Sequence, residues 1–492
     1  MRSKTAIACV AAALLCALLP AWASAASPSR VYVSLGDSYT AGPLVPRPTG
    51  DPIDCGRSTN NYPALVANSI RPSVFRDVSC GSAKTTDMTE PQTGLPLGGT
   101  NPPQFNALDR GVGLVTVGIG GNDMGFGGIV GTCAELGLES LGRGQPCTEH
   151  FNRGGVDEVA RRIRDVVAPR LAKVIQGIQA RSPNARVVVV GDPNPVPRKP
   201  GCYPAVPIAP GDLPYLEKVA RGLHEMKKRV GPANGAEFVD LFSGSIGHDI
   251  CKLPPVKWYE GVVPTEPAYP AHPNIRGMQF AAREVLGVLR RPVPNDFAIL
   301  GRRTTQRGRI ALRLRVPYRG RFRIVATAAG GRVAYGTKRE LIGRARTLWL
   351  GLRPSRAGRR LLRRRGRIPV RLKVTFDPIA APALTRTTAL GVGAGRLVLG
   401  RVGGLRSARR GRPLRLRVRA RGARLRRVRI VLRNRRGRVI GRSRRFTLPR
   451  GRRRVVRVRV ARRLRPGRYA FRGVARGRGG AVVREAKRIL IL

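Results

Sequence analysis

From residue 309 onward, apolar residues take alternate positions in several segments, and arginine fills most of the places between them. The segments "RIALRLRV" (309 to 316), "VRLKVTF" (370 to 376), "LRLRVRA" (414 to 420) and "VVRVRV" (455 to 460) follow this pattern. A period of two puts the apolar side chains on one face of an extended strand and the charges on the other, whereas a helix would scatter both around its axis. These segments are therefore half-buried β-strands. Turn signals such as "RNRRGR" (433 to 438) and "LRPGRY" (464 to 469) separate strands of this kind. We expect two arginine-rich, Ig-like β-sandwiches, over residues 291 to 385 and 395 to 492, joined to the preceding part by the linker "RRPVP" (290 to 294).

Charge divides the chain at the same place. Of 93 basic and 28 acidic side chains, residues 26 to 290 hold 28 and 24, and residues 291 to 492 hold 63 and 4. A genome rich in arginine codons would raise both parts alike, and the first part stays nearly neutral. Solubility alone is the simplest role for so much charge, but its self-repulsion is best tolerated when an anionic partner screens it. An anionic cell-surface polymer or anionic lipid surface is the expected partner. Aromatics are sparse and not interleaved with the arginines, so no specific nucleic-acid binding is indicated.

The N-terminus reads as a secretory signal over residues 1 to 25: Arg2 and Lys4, an apolar run from Ala6 to Leu19, then Ala23-Ser24-Ala25. The apolar run is short for a membrane anchor, and Leu15 before Cys16 argues against lipoprotein processing. A secreted chain beginning at Ala26, free or held at the cell surface, is expected, with no transmembrane segment. It keeps six cysteines, an even number that suggests disulfides. Many pairings are open; nearest neighbours, Cys55-Cys80, Cys133-Cys147 and Cys202-Cys251, are favoured. No pair has the close spacing of a zinc site, so no metal is expected.

Residues 26 to 290 read as an α/β domain. "RVYVSLGD" (30 to 37), "VFRDVSCG" (74 to 81), "GLVTVGIGGND" (113 to 123), "ARVVVVGDP" (185 to 193) and "AEFVDLF" (236 to 242) are strand-like. Helical patterns intervene, most clearly from Val156 to Ala180 and from Leu213 to Val230. This alternation implies a parallel sheet covered on both faces, a three-layer α/β/α sandwich, with chemistry at the carboxyl ends of the strands. Three features sit there: Ser38 in "SLGDSYTAG", Asn122 in "GIGGND" and His272 in "AYPAHPNIRG". Alone, they are a helix cap, a strand-to-loop turn and a solvated histidine.

Together and in this order, with Gly81 in "SCGSAKT", they resemble the GDSL-type, or SGNH, hydrolase family over roughly residues 29 to 290. The resemblance implies a flavodoxin-like fold, Ser38 as nucleophile, His272 as base, and an oxyanion hole of Ser38 N–H, Gly81 N–H and the Asn122 side chain. Many family members place an aspartate three residues before the histidine, where this chain has Tyr269. Some secreted actinobacterial esterases and lipases of the family, which also carry three disulfides, lack that aspartate and use a backbone carbonyl; this chain resembles them, so the Tyr269 carbonyl is expected to orient His272. Glu266 is the competing orienter, and Asp249 beside His248 a remoter one. The expected activity is hydrolysis of a carboxylic acyl ester such as a glyceride, a phospholipid or a simple ester, with no cofactor. The apolar loop "MGFGGIVG" (124 to 131) serves either as acyl pocket or as core. Carbohydrate O-deacetylation, or a catalytically silent protein that binds anionic polymers, are the alternatives.

Overall fold

A computed structural model describes residues 31–305, 307–393, 396–403, 412–421, 424–449, 451–460, 464–476 and 482–491. The expected signal peptide lies outside the described residues. The chain divides into two compact units after Pro292.

In the first unit, β1 (Val31–Gly36), β2 (Val74–Asp77), β3 (Leu114–Gly118), β4 (Arg186–Val190) and β5 (Glu237–Val239) form one sheet in the order β2-β1-β3-β4-β5. Every pairing is parallel, with Gly36 opposite Gly118. This is the flavodoxin-like strand order, which leaves a crevice beyond the carboxyl ends of β1 and β3. Alternate side chains face opposite layers. Val33, Leu35, Val115, Val117, Val187 and Val189 belong to one core and Tyr32, Leu114, Val188 and Val190 to the other.

The helices that position the site are α1 (Ser38–Ala41), α2 (Tyr62–Ile70), α3 (Phe126–Glu139), α4 (Ala168–Arg181), α5 (Leu213–Ala233) and α6 (Ile275–Arg290). α5 has a proline in its first turn and buries Leu216, Val219, Leu223, Met226 and Val230 in the first core, a stripe at helical spacing. On the other face, α6 buries Met278, Ala281, Ala282 and Val285. Each buried Val or Leu contributes about 2 kcal/mol relative to exposure, so Val117→Asp would both lose that and strand a carboxylate between the layers.

The second unit is all antiparallel. β6 (Ala298–Thr304), β7 (Ile310–Val316), β8 (Gly320–Ala328), β9 (Val333–Ile342), β10 (Arg346–Leu352), β11 (Arg367–Pro378) and β12 (Leu384–Gly393) form sheets β10-β7-β6 and β12-β11-β8-β9. They share a core that includes Leu312, Leu314, Phe322, Ile324, Val374 and Phe376. The expected boundary at residue 385 falls inside β12. That strand pairs with β11 along its length and buries Val392 in this core, so this body runs to residue 393. A helix, α7 (Arg356–Arg365), stands between β10 and β11, capped by Ser355, whose side chain accepts the Gly358 N–H.

Eight more strands follow: β13 (Arg396–Gly403), β14 (Leu414–Arg421), β15 (Leu425–Arg433), β16 (Val439–Arg442), β17 (Phe446–Leu448), β18 (Arg453–Val460), β19 (Gly467–Arg476) and β20 (Val482–Ile491). Their path is β13-β14-β18-β16-β15-β19-β20, with β17 on β15. Leu397 and Leu399 of β13 pack over Gly473 of β19, so the sheet folds over its own core.

Candidate active site

β1 delivers Ser38 to the crevice. The strand ends at Gly36, whose N–H and carbonyl are each held at 2.9 Å by the Gln104 side chain. A Cβ at Gly36 would lie 2.2 Å from Thr40 Oγ1 and 2.7 Å from the Gly118 carbonyl, so no other residue fits this close approach. Asp37 caps α1 by accepting the Tyr39 N–H at 3.1 Å.

His272 reaches Ser38 from the loop before α6. Its Nε2 lies 2.7 Å from Ser38 Oγ, and its Nδ1 lies 2.7 Å from the Pro270 carbonyl oxygen. A neutral ring satisfies both contacts when Nδ1–H donates to Pro270 and Nε2 accepts the serine hydroxyl proton. The expected orienter, the Tyr269 carbonyl, is corrected by one residue: it accepts the backbone N–H of His272 at 3.1 Å instead. The cause is Ala271, whose φ of 61° turns the chain tightly and brings the Pro270 carbonyl to the ring. The phenol of Tyr39 donates to the Ala271 carbonyl at 2.7 Å and so ties the two loops together. Asn274 caps α6 with its Oδ1, which accepts from Arg276 N–H and Gly277 N–H.

The competing orienters are engaged elsewhere. Glu266 pairs with Arg276 and accepts from Asn274 Nδ2 at 3.0 Å. Asp249 accepts the Cys251 N–H at 3.0 Å. His248 stacks on Trp258 with ring centroids 3.4 Å apart. Burial lowers the His272 pKa, and the Pro270 carbonyl, which favours the imidazolium, opposes that shift only in part.

The loop after β2 carries a second correction. Gly81 N–H donates to the Cys55 carbonyl at 3.0 Å and is not free to receive an oxyanion. The Cys55-Cys80 disulfide holds these two segments together; Cys133-Cys147 and Cys202-Cys251 complete the nearest-neighbour set. The next residue, Ser82, has a φ of 61°, and its N–H has no hydrogen-bond partner among the described residues. Asn122 Nδ2 donates to the Ala83 carbonyl at 2.9 Å, which leaves its second hydrogen available. Asp123, which the sequence reading did not single out, locks the same loop: it accepts Thr85 N–H at 2.9 Å and Arg170 Nη1 at 3.1 Å.

The GDSL-like Lipase/Acylhydrolase family model matches residues 34–280, half of the chain and all four motif positions. The chain belongs to this family. Lipase 2 of Streptomyces coelicolor is 36% identical over 268 residues, which span 54% of this chain and 87% of the relative. An esterase of Streptomyces scabiei is 30% identical over 324 residues, with 58% and 93% covered. The crystal structure of a phospholipase A1 from Streptomyces albidoflavus is 26% identical, with 53% of this chain and 99% of that one covered and a TM-score of 0.44.

As a GDSL-like acylhydrolase the chain is a carboxylic ester hydrolase. Ser38, hydrogen-bonded to His272, lines an apolar pocket with an enclosed volume of about 110 Å³. Its lining is mostly apolar and includes Tyr39, Met124, Phe126, Val196, Leu216 and Leu223. The expected loop from 124 to 131 is mostly helical, because α3 begins at Phe126; Met124 and Ile129 line the pocket and are also buried in the core. Beneath the serine turn lies a charged group that the sequence reading missed. Lys227 of α5 is fully buried, with Nζ 2.8 Å from Asp192 Oδ1 and 2.7 Å from Oδ2. Burial pushes the Asp37 carboxyl up to about 7, against the opposing pull of Lys227. The stretch "GDPNPVP" (191 to 197) after β4 was the available signal, because it lies at the carboxyl end of a central strand.

Proposed function

We propose that this protein is a secreted serine hydrolase acting on medium- to long-chain acyl esters through an acyl-serine intermediate. The observation that carries the reading is the 2.7 Å contact between Ser38 Oγ and His272 Nε2 at the mouth of an apolar pocket. In the mechanism, Nε2 takes the serine proton as Oγ bonds to the ester carbonyl carbon. The resulting oxyanion is received by Ser38 N–H, Asn122 Nδ2 and Ser82 N–H, the last in place of Gly81; each donor contributes about 3 kcal/mol of transition-state stabilisation. Collapse breaks the ester C–O bond, and the imidazolium returns its proton to the departing alcohol. His272 then deprotonates a water that attacks the acyl-serine, releasing the acid and regenerating Ser38. The Pro270 carbonyl fixes the tautomer, though it stabilises the imidazolium less than a carboxylate would.

The pocket favours acyl chains over acetyl groups, which would leave its apolar walls unused. The relatives' names, lipase and esterase, agree with this substrate class. The arginine-rich unit is read as a cationic module that keeps the enzyme on anionic material.

Hydrolysis of p-nitrophenyl esters from acetate to palmitate, by wild type and Ser38→Ala, tests the enzyme reading. We expect activity to peak above butyrate and to vanish in the variant. Activity that survives Ser38→Ala would remove the proposal. Heparin retention of the full chain against one ending at Pro292 tests the module.

A further inference from the structure

We propose that the outward face of β14 and β18 docks on an anionic phospholipid surface. This rests on reading the C-terminal unit as a cationic module and names its partner. β14 buries Leu414, Leu416 and Val418 and turns Arg415, Arg417 and Arg419 outward. Arg457 of β18 lies directly opposite Arg415, and Arg453 directly opposite Arg419. Like charges opposed on a sheet repel and destabilise it. Compensating acid is nearly absent: from 395 to 492 the sequence has 37 Lys and Arg and one acidic residue, Glu485, and neither β14 nor β18 carries one. The face is therefore built at a cost that an anionic partner removes.

The arrangement of the charges selects the partner. Neighbouring strands lie about 4.8 Å apart and alternate residues along a strand about 6.8 Å apart, so the guanidinium groups spring from a two-dimensional grid. A linear phosphate polymer engages one row of such a grid, whereas a lipid surface presents phosphates in both directions. Arginine matches them well, because its planar fork binds phosphate oxygens in pairs. Arg417 stands opposite Val455, an apolar side chain that is 54% exposed in the middle of the arginines. Against a soluble polymer Val455 stays in water; at a lipid surface it enters the headgroup boundary. No aromatic side chain occurs in either strand, which removes base stacking as the use of this face. A chain held at a lipid surface also meets acyl esters at high local concentration, as the apolar pocket beside Ser38 requires.

The test is co-sedimentation of the full chain with phosphatidylcholine vesicles, with and without phosphatidylglycerol. We expect pelleting only with the anionic vesicles, and its loss at high salt. Arg415→Gln with Arg417→Gln and Arg457→Gln should weaken binding about 100-fold. The same change of net charge in the exposed turn, Arg435→Gln with Arg436→Gln and Arg438→Gln, should weaken it no more than about fivefold. Equal losses in the two triple variants, or equal pelleting with neutral vesicles, would overturn the proposal. If the first triple variant does not fold, the wild-type comparison of vesicles decides alone. Displacement from vesicles by soluble polyphosphate at an equal phosphate concentration would assign the face to a linear polymer, ending the lipid proposal but sparing the cationic module. Failure to bind heparin as well as vesicles would end both. Hydrolysis of a soluble ester by each variant should be unchanged.

Discussion

The His272 ring takes its orientation from a residue two positions earlier in its own loop: Nδ1 lies 2.7 Å from the Pro270 carbonyl oxygen, and among the described residues no carboxylate is hydrogen-bonded to the ring. A backbone carbonyl cannot be removed by substitution, so its role is tested through the side chains that compete for it and through the pH dependence it leaves behind.

Glu266 is the nearest acidic alternative in sequence, and its carboxylate is occupied by Arg276 and Asn274. Glu266→Gln should therefore keep kcat within about threefold of wild type while lowering stability by about 1 kcal/mol through the weakened ion pair. A steady-state assay beside a thermal melt separates the two effects. Loss of activity by orders of magnitude in a folded variant would return Glu266 to the role of orienter.

Because burial disfavours the imidazolium, the His272 pKa lies below its ordinary value of 6.5. The acid limb of kcat/KM should accordingly have its midpoint below pH 6.5. The sign for stability follows from the same shift. Between the lowered pKa and 6.5 the unfolded chain binds more protons, so this contribution is intact above 6.5 and is lost as pH falls through that window. A pH-rate profile with its acid midpoint at or above 6.5 would contradict the assignment. Asp37, raised to about 7, shifts the other way and costs stability as pH rises from 3.8 toward 7. Asp37→Asn should thus gain on wild type in thermal melts between pH 5 and 8.

Tyr39 follows the nucleophile directly, yet its hydroxyl acts on the histidine loop by donating to the Ala271 carbonyl at 2.7 Å. Ala271 holds a left-handed φ of 61°, which costs an L-residue about 1 kcal/mol and needs outside support. Tyr39→Phe keeps the ring that packs 5.0 Å from His272 and removes only that support. The expected result is about a tenfold fall in kcat with KM little changed and about 1 kcal/mol of stability lost. A change confined to KM would place Tyr39 in substrate binding instead.

Much of this was legible in the chain, and the failures share a cause. Short apolar, β-branched runs marked the five parallel strands, which are mostly buried on both faces, and period-two runs marked the arginine strands, because a half-buried strand writes its two faces directly into the sequence. Ser38 and His272 were found by motif. The Pro270 carbonyl rather than that of Tyr269 meets the ring, and the N–H without a partner among the described residues is that of Ser82 rather than Gly81, each one residue away from the expectation. Both depend on a left-handed turn at a residue that is not glycine, which carries no composition signal. α7 was missed because "RAGRRLLRRR" offers only Leu361 and Leu362 as large apolar residues, too few to show a helical stripe. The Lys227-Asp192 pair joins positions 35 residues apart, which only the sheet and α5 bring together.

That pair carries the last prediction. The Lys227 side chain is fully buried, whereas Asp192 is 21% exposed, so the lysine is the partner that water cannot replace. Lys227→Met leaves Asp192 without its cation and removes the positive charge that pulls the Asp37 pKa down, so Asp37 should take up its proton at still higher pH. Breaking such a pair costs about 3 kcal/mol where the remaining carboxylates are ionised. At lower pH Asp37 binds its proton and its share of the penalty fades. The variant should therefore melt well below wild type at pH 8 and approach it at pH 5. A gap of equal size at both values would mean that Lys227 contributes packing alone.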